Sequence, residues 1–168
     1  MLITRRGIKE RLLLESGSAY QWKQGIYTVS TDPDAVDFDA VFHFLSQAPW
    51  ASGLSREALH RALQNSLCFS LLEETRQIGL ARVISDFSTY AYLCDVYIVD
   101  QQRGRGLGSW LVRCVLNHPD IRCLKRIALI THDAQDFYRC LGFQFASHPD
   151  HYMERLSQSN GANICAEI

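Results

Sequence analysis

Apolar residues along this chain follow two different spacings, and the spacing changes several times between the termini. Short apolar or alternating runs bounded by polar turns predict seven strands, at 26–30, 68–73, 78–85, 90–99, 127–131, 143–147 and 152–156. Helical spacing predicts helices after the N-caps Asp32 and Ser55, after Gly108 as far as Asn117, and over 134–141. Because only short turns separate the strands between 68 and 99, these strands should form an antiparallel meander. The whole pattern predicts one α+β domain with a mixed central sheet flanked by helices.

The two ends of the chain lack the patterns of its middle. Residues 1–25 mix five basic side chains with glycine and serine and show no sustained period, so we expect a loosely packed N-terminal extension. The domain should cover residues 26–156, and the polar residues 157–168 should form a C-terminal tail. A length of 168 residues fits one such domain, since a domain commonly holds about 150 residues.

Charge and cysteine usage narrow the classes of partner and compartment. The chain carries 17 Lys and Arg against 18 Asp and Glu, so we expect no broad basic surface for nucleic acid or a membrane. We also expect neither a signal peptide nor a membrane span, since the apolar runs are short. The six cysteines form no C-x-x-C pair and mostly lie in apolar runs, which is typical of buried free thiols in a reducing cytosol. These features together predict a cytoplasmic protein.

The most informative segment is Asp100-Gln-Gln-Arg-Gly-Arg-Gly-Leu-Gly-Ser109, which lies between an apolar strand and an amphipathic helix. Its glycines, Gly104, Gly106 and Gly108, allow a tight turn that brings backbone amides together at the N-terminus of the helix. Such amides bind a pyrophosphate. The G-x-G-x-G spacing differs from that of dinucleotide folds, and no Lys-Ser or Lys-Thr pair follows, as a nucleotide hydrolase would require. The segment therefore indicates a phosphate site of another class, with a plain helix-capping turn as the alternative.

This segment resembles the signature of the GNAT superfamily of acyl-CoA-dependent N-acyltransferases: Arg or Gln, two residues, Gly, one residue, then Gly or Ala. Residues 103–108 match it. A register that begins at Gln101 also fits, and we prefer Arg103 because the apolar strand then ends at Ile98, shortly before the arginine. A second segment, residues 134–143, is similar to the A-x-x-x-Y-x-x-x-G-F stretch of the superfamily. The resemblance implies a GNAT-like fold whose mixed sheet splays between its fourth and fifth strands.

The resemblance also implies an acetyl-CoA site and a role for each matching residue. The backbone of Val96, Tyr97 and Ile98 would lie along the pantetheine arm. Thr131 stands where many members carry an asparagine, and Tyr138 takes the place of the tyrosine that protonates the leaving thiolate. The pyrophosphate would lie on the glycine loop, which comprises Arg103, Gly104, Arg105, Gly106, Leu107, Gly108 and Ser109. A basic group that either contacts the 3′-phosphate or is a solvated surface comprises Arg113, Arg122, Lys125 and Arg126.

The group that removes a proton from the attacking amine has three candidates, namely Asp95, His132 and a water held by backbone carbonyls. Asp95 is the most conspicuous candidate for a catalytic residue, because it interrupts an apolar run in which an unpaired carboxylate would be costly to bury. The alternative is that Asp95 exchanges hydrogen bonds with a neighbouring strand. The residues alone do not decide between these roles.

Two pairs of side chains have spacings that suggest a metal site. His148 and His151 flank a Pro-Asp pair, and Cys114 precedes His118 by one helical turn. Neither pair belongs to a set of four ligands at the spacings of zinc sites. We therefore expect no metal.

The acceptor substrate has several candidate classes. Four acidic residues at the first predicted helix would either favour a cationic amine or cap the helix, and these are Asp32, Asp34, Asp37 and Asp39. We expect an enzyme that transfers an acetyl group from acetyl-CoA to a primary amine, with a small-molecule substrate and direct attack in a ternary complex. The alternatives are a non-catalytic acyl-CoA-binding sensor and a protein N-terminal or lysine acetyltransferase. Homodimer formation is left open.

Overall fold

Six strands form one sheet in this computed structural model, which describes residues 19–51 and 53–155. The strands are β1 Gln21–Gln24, β2 Tyr27–Ser30, β3 Leu67–Glu73, β4 Arg76–Ser85, β5 Tyr90–Ile98 and β6 Arg126–Ala128. Their order in the sheet is their order along the chain. Neighbouring strands from β1 to β5 are antiparallel, and β6 runs parallel to β5. The prediction of a mixed sheet in an α+β domain is confirmed.

The helices of the described residues are α1 Phe38–Gln47, α2 Arg56–Gln64, α3 Leu107–Asn117, α4 Pro119–Arg122 and α5 Gln135–Arg139. Ser55 caps α2 as predicted, since its hydroxyl accepts a hydrogen bond from the Ala58 amide at 3.1 Å. The first helix begins later than predicted, because Asp32 caps a 3-10 turn at Pro33–Ala35 and Asp37 caps α1. None of the helices within 19–51 and 53–155 is long and apolar enough to cross a membrane.

Each face of the sheet carries its own apolar core. Side chains alternate along a strand, so β3 and β4 supply residues to both cores. On one face, Phe69 and Val83 pack with Leu111 and Val115 of α3. On the other face, the core packs against α1 and α2 and contains Val41, Leu45, Leu59, Leu80 and Tyr97. Helices therefore flank the sheet on both sides, as the sequence predicted.

The sheet opens between β5 and β6. Only the first three residues of β5 pair with β6, in the register Tyr90–Arg126, Ala91–Ile127 and Tyr92–Ala128. Within residues 19–51 and 53–155, no strand pairs with residues 93–98 of β5 on that side, because β6 ends at Ala128. The fourth and fifth strands of the sequence prediction correspond to β5 and β6, so the predicted splay between them is confirmed. The unpaired part of β5 forms one wall of an open cleft.

A β-bulge interrupts β5 inside this cleft. Between its pairs with Leu80 and Arg82, β5 has two residues, Asp95 and Val96, where β4 has one. Asp95 has a φ of 50°, in the left-handed region that non-glycine residues seldom occupy. The extra residue shifts the alternation of side chains, so that Tyr97 points into the core of α1 and α2.

The last two predicted strands, at 143–147 and 152–156, are wrong for the described residues. Residues 143–155 contain no strand, and residue 156 lies outside the described residues. The amides of His151 and Tyr152 bond to the carbonyls of His148 and Pro149 at 3.1 Å, which closes a 3-10 turn. The amides of His151 and Tyr152 therefore bond within a local turn and not to a neighbouring strand. Phe145 is exposed, although its alternation with Phe143 suggested a strand.

The prediction of a loosely packed extension is wrong for residues 21–24, which form β1. A two-residue turn joins β1 to β2, and Gly25 in this turn has a φ of 60°. The Trp22 ring lies 6.0 Å from that of Phe69, which anchors the edge strand to the core. Residues 1–18 and the predicted tail 157–168 lie outside the described residues.

All cysteines of the described residues are free thiols, whereas Cys165 lies outside them. The prediction that most are buried is only partly right. Cys68 and Cys114 are buried and Cys94 is half-buried, but Cys123 and Cys140 are exposed. The exposed pair occupies the ends of short helices, where an apolar neighbourhood in sequence does not ensure burial.

Candidate functional site

The glycine loop precedes α3 and bends through two left-handed residues. Gly104 has a φ of 77° and Gly106 a φ of 76°, conformations that glycine adopts without steric cost. A Cβ added to either residue would meet no atom within 4 Å, so the space above the loop is open. The amides of residues 107–109 come before the first helical hydrogen bond, which Trp110 donates to Gly106 at 3.0 Å. The loop therefore presents free amides at the positive end of an eleven-residue helix, a geometry that suits a phosphate group.

The two arginines of the loop have different surroundings. The Arg103 Nε donates to the Ile98 carbonyl at 3.1 Å, and its Nη2 lies 2.9 Å from an Asp100 carboxylate oxygen. Arg103 thus ties the loop to the end of β5. The Arg105 guanidinium is exposed and has a contact of 3.4 Å with the Tyr27 hydroxyl. Arg105 is the arginine that can turn toward a phosphate.

The backbone of residues 96–98 borders the open cleft, since β6 pairs only with residues 90–92 of β5 and no other described strand lies on that side. The side chains belong to the cores instead. Tyr97 is 5% exposed and stacks on Phe44 with ring centroids 3.8 Å apart. Val96 and Ile98 pack in the core on the α3 face. A ligand in the cleft would meet the backbone of these residues, as the resemblance implies, while their side chains hold the strand in place.

Tyr138 lies on α5 at the wall of a groove that begins where β5 and β6 diverge. Its ring packs edge-to-face on Phe137 and Phe143, with centroid distances of 4.9 and 5.6 Å. Burial raises the pKa of the Tyr138 phenol above its ordinary value, because the phenolate would be poorly solvated. The phenol therefore keeps its proton near neutral pH, which is the state that a proton donor needs.

Thr131 also borders the groove, but its hydroxyl has a structural partner. Its Oγ1 accepts a hydrogen bond from the Ala134 amide at 3.1 Å, which shapes the turn into α5. The groove has a volume of about 760 Å³ and extends along β6 to Arg126, on the face of the sheet where Tyr92 lies. Tyr138, the candidate acid, is one of the residues that line this groove.

Asp95 forms an ion pair with Arg82 on the neighbouring strand. The Arg82 Nε donates to Asp95 Oδ2 at 2.6 Å, and the Arg82 Nη1 donates to the Ser66 hydroxyl at 2.9 Å. Both charged side chains are more than four-fifths buried. This geometry matches the alternative of hydrogen bonding across strands. His132, the other side-chain candidate for the base, is exposed and contacts Gln135 through its carbonyl.

The acidic residues at the first helix have local partners that account for most of them. Asp32 and Asp37 accept hydrogen bonds from the amides of residues 34 and 40, and Asp39 pairs with Arg56. The Arg56 guanidinium also lies over the rings of Phe38 and Phe42, with its Cζ 4.8 Å from each centroid. Helix capping and ion pairing therefore explain Asp32, Asp37 and Asp39 without a cationic acceptor.

Three side chains of the described residues could hold a metal together: His148, Asp150 and His151, whose ligand atoms lie within 4.8 Å of one another. The sequence suggested the two histidines without the aspartate. All three are exposed, and three ligands are fewer than a structural zinc site uses. Cys114 and His118 of the other suggested pair are both buried, and the His118 Nδ1 accepts the Asp120 amide at 3.2 Å, so this nitrogen already has a partner. The absence of a metal stays a prediction.

The structure combines an open mixed sheet, a bulge in β5 and a glycine loop at the N-terminus of α3. These features together define the fold class of acyltransferases. The family described as "Acetyltransferase (GNAT) domain" matches residues 64–145. A proposed acetyltransferase of Gibberella zeae is 35% identical over 142 residues, covering 70% of this chain and 78% of the relative. This chain belongs to the GNAT family of acetyltransferases.

Solved structures give the same result. The crystal structure of a proposed GNAT acetyltransferase from Xanthomonas campestris is 38% identical, covers 80% of this chain and 96% of its own, and superposes with a TM-score of 0.77. A predicted acetyltransferase from Clostridium acetobutylicum, solved with acetyl-CoA, is 18% identical over 77% of this chain and 94% of its own. Its TM-score of 0.58 reflects the shared fold.

Proposed function

We propose that this protein is an N-acetyltransferase that moves an acetyl group from acetyl-CoA to a primary amine of a small molecule. One observation carries the proposal. The two left-handed glycines hold free amides open at the N-terminus of α3, directly beside the unpaired edge of β5. This arrangement offers one place for a pyrophosphate and an adjoining backbone edge for an extended amide-containing chain.

The residues present fit acetyl-CoA as the acyl donor. The amides of residues 104–109 would hold the pyrophosphate, with Arg105 as a neighbouring cation. The backbone of residues 96–98 would hold the pantetheine amides in the cleft. The acetyl-CoA of the Clostridium acetobutylicum structure supports this assignment by likeness of fold.

The chain's own groups suggest direct transfer within a ternary complex. Bound acetyl-CoA supplies an acetyl group that is already activated as a thioester. Tyr138 holds a proton at its Oη, which it would give to the leaving thiolate. The ion pair of Asp95 with Arg82 favours a water held by backbone carbonyls as the group that takes the proton of the amine. Holding the amine beside the thioester would supply much of the acceleration.

A covalent acyl-cysteine has little support among the described thiols. Burial raises the pKa of Cys68 and Cys114 to about 11 and that of Cys94 to about 12, so these thiols stay protonated and poorly nucleophilic. The exposed Cys123 and Cys140 do not line the groove beside Tyr138. Free thiols also support the proposal of a cytoplasmic location.

Titration calorimetry with acetyl-CoA tests the donor site. Gly106→Trp should abolish binding, because the indole fills the open space above the loop. Gly106→Ala is the matched control, since it imposes the same left-handed strain with much less bulk. Binding by the tryptophan variant as tight as that of the parent would show that the site is misplaced.

Thioester turnover tests the role of Tyr138. Tyr138→Phe should lower kcat by about 10²-fold and leave the affinity for acetyl-CoA unchanged, because only the proton donor is lost. Tyr20→Phe serves as the control, since Tyr20 packs against His118 away from the groove. An unaltered kcat would contradict the proposed acid, and binding of acetyl-CoA without turnover on any amine would favour a non-catalytic sensor.

A further inference from the structure

The groove that begins at Tyr138 has a distinct chemical character. Its walls are mostly apolar and aromatic, with Tyr90 and Tyr92 from β5 on one side and Phe143 on the other. Its charged or titratable lining consists of Arg126, Arg139, two histidines and tyrosines, and includes no carboxylate. A groove of this composition favours an acceptor with an apolar middle and an anionic group, and disfavours a polycation.

Arg126 is the cation of this groove that lacks a partner among the described residues. It is exposed and lies on β6 in register with Tyr90. Ile127 packs toward the core on the α3 face, so its neighbour Arg126, which lines the groove, projects from the opposite face of β6. Arg139, in contrast, is occupied: it contacts Asp136 at 2.7 Å and lies over the Phe145 ring at 4.8 Å.

The position of Arg126 also limits the length of the acceptor. The residues that line the groove run from Arg126, where β6 begins, to Ile130 and Thr131, which follow the end of β6. Ile130 follows Arg126 by four residues, so at most about 14 Å separate their Cα atoms. Thr131 and Tyr138 border the groove near its Ile130 end, where the sheet opens. An amine at Tyr138 and an anion at Arg126 would thus belong to an elongated molecule.

We propose that the acceptor is an elongated amine whose far end carries a carboxylate bound by Arg126, such as a short peptide. This inference rests on the proposed function, and it names the substrate class of the same site. A guanidinium binds a carboxylate through two parallel hydrogen bonds, which fixes orientation as well as charge. A tripeptide in extended form spans about 10 Å and fits the groove lengthwise. The aromatic walls receive its apolar side chain.

The direct test compares the tripeptide Phe-Gly-Gly with its C-terminal amide as acceptors in the acetyl-CoA turnover assay. The free acid should have a kcat/KM about 10-fold higher, which corresponds to about 1.4 kcal/mol, because the amide lacks the charge that strengthens hydrogen bonds from a guanidinium. Arg126→Gln should remove this preference by raising KM for the acid while kcat stays unchanged. Arg126→Lys should restore part of it. Arg61→Gln, at an exposed arginine of α2 outside the groove, should keep the preference.

Equal kcat/KM for acid and amide would overturn the inference and leave the proposed function intact. A preference for spermidine over both peptides would have the same consequence. If no amine is acetylated, the proposed function fails, and calorimetry of the two peptides with the CoA-bound protein then decides the inference alone. Tighter binding of the acid that disappears in Arg126→Gln would support it. Binding without such selectivity, or no binding, would overturn it.

Discussion

Replacing Gly106 and Gly108 with alanine, one at a time, should change the stability of the protein in opposite directions. Gly106 has φ 76° and ψ 0°, so alanine there is expected to cost about 1–2 kcal/mol of unfolding free energy. Gly108 lies in the first turn of α3, and its added Cβ would lie 3.7 Å from Ile98 and Phe137 atoms, an ordinary contact. Alanine there should stabilise the helix by about 0.5–1 kcal/mol, because glycine loses more conformational entropy on folding.

Urea denaturation of the ligand-free variants measures this difference. With a shared m value, the two midpoints should lie on opposite sides of that of the parent and differ by an amount that corresponds to about 2 kcal/mol. A Gly106→Ala variant as stable as the parent would refute the left-handed loop that forms the proposed phosphate site. A destabilised Gly108→Ala variant would refute the spacing between α3, β5 and the ring of Phe137.

Three further predictions concern the scaffold. Burial lowers the pKa of His118, so the unfolding free energy should fall as pH drops below about 6.5, where the unfolded state binds the extra proton. His118→Gln should remove that part of the slope in urea titrations from pH 5 to 7.5, and an unchanged slope would contradict the assignment. Arg82→Met leaves the Asp95 carboxylate buried without its partner and should cost about 3 kcal/mol, measured by denaturation. A loss no larger than that of the exposed Arg61→Met would refute this. Gly79→Ala places a Cβ 2.7 Å from the Tyr97 carbonyl oxygen of β5 and should lower the free energy of unfolding by about 1–3 kcal/mol. An unchanged melting temperature would contradict the close approach of β4 and β5 at this position.

The features that the sequence predicted well are those that depend on neighbouring residues. The Ser55 cap, the turn of the glycine loop and the helix predicted after Gly108, which begins at Leu107, each follow from residues within a few positions of one another. The central strands β3, β4 and β5 were equally evident, because their apolar runs are long. The two family motifs added the splay of the sheet and the places of the candidate donor site and acid.

Pairing between distant segments was decided by the tertiary structure alone. The bulge at Asp95, its ion pair with Arg82 and the open face around Arg126 all depend on the register of strands that lie far apart in the chain. The polar segment 21–24 became a strand because it found a partner in β2, whereas 143–147 alternates well and stayed irregular. A strand is stabilised by hydrogen bonds to another segment, so alternation within a segment shows which face could be buried but not whether a partner will lie beside it.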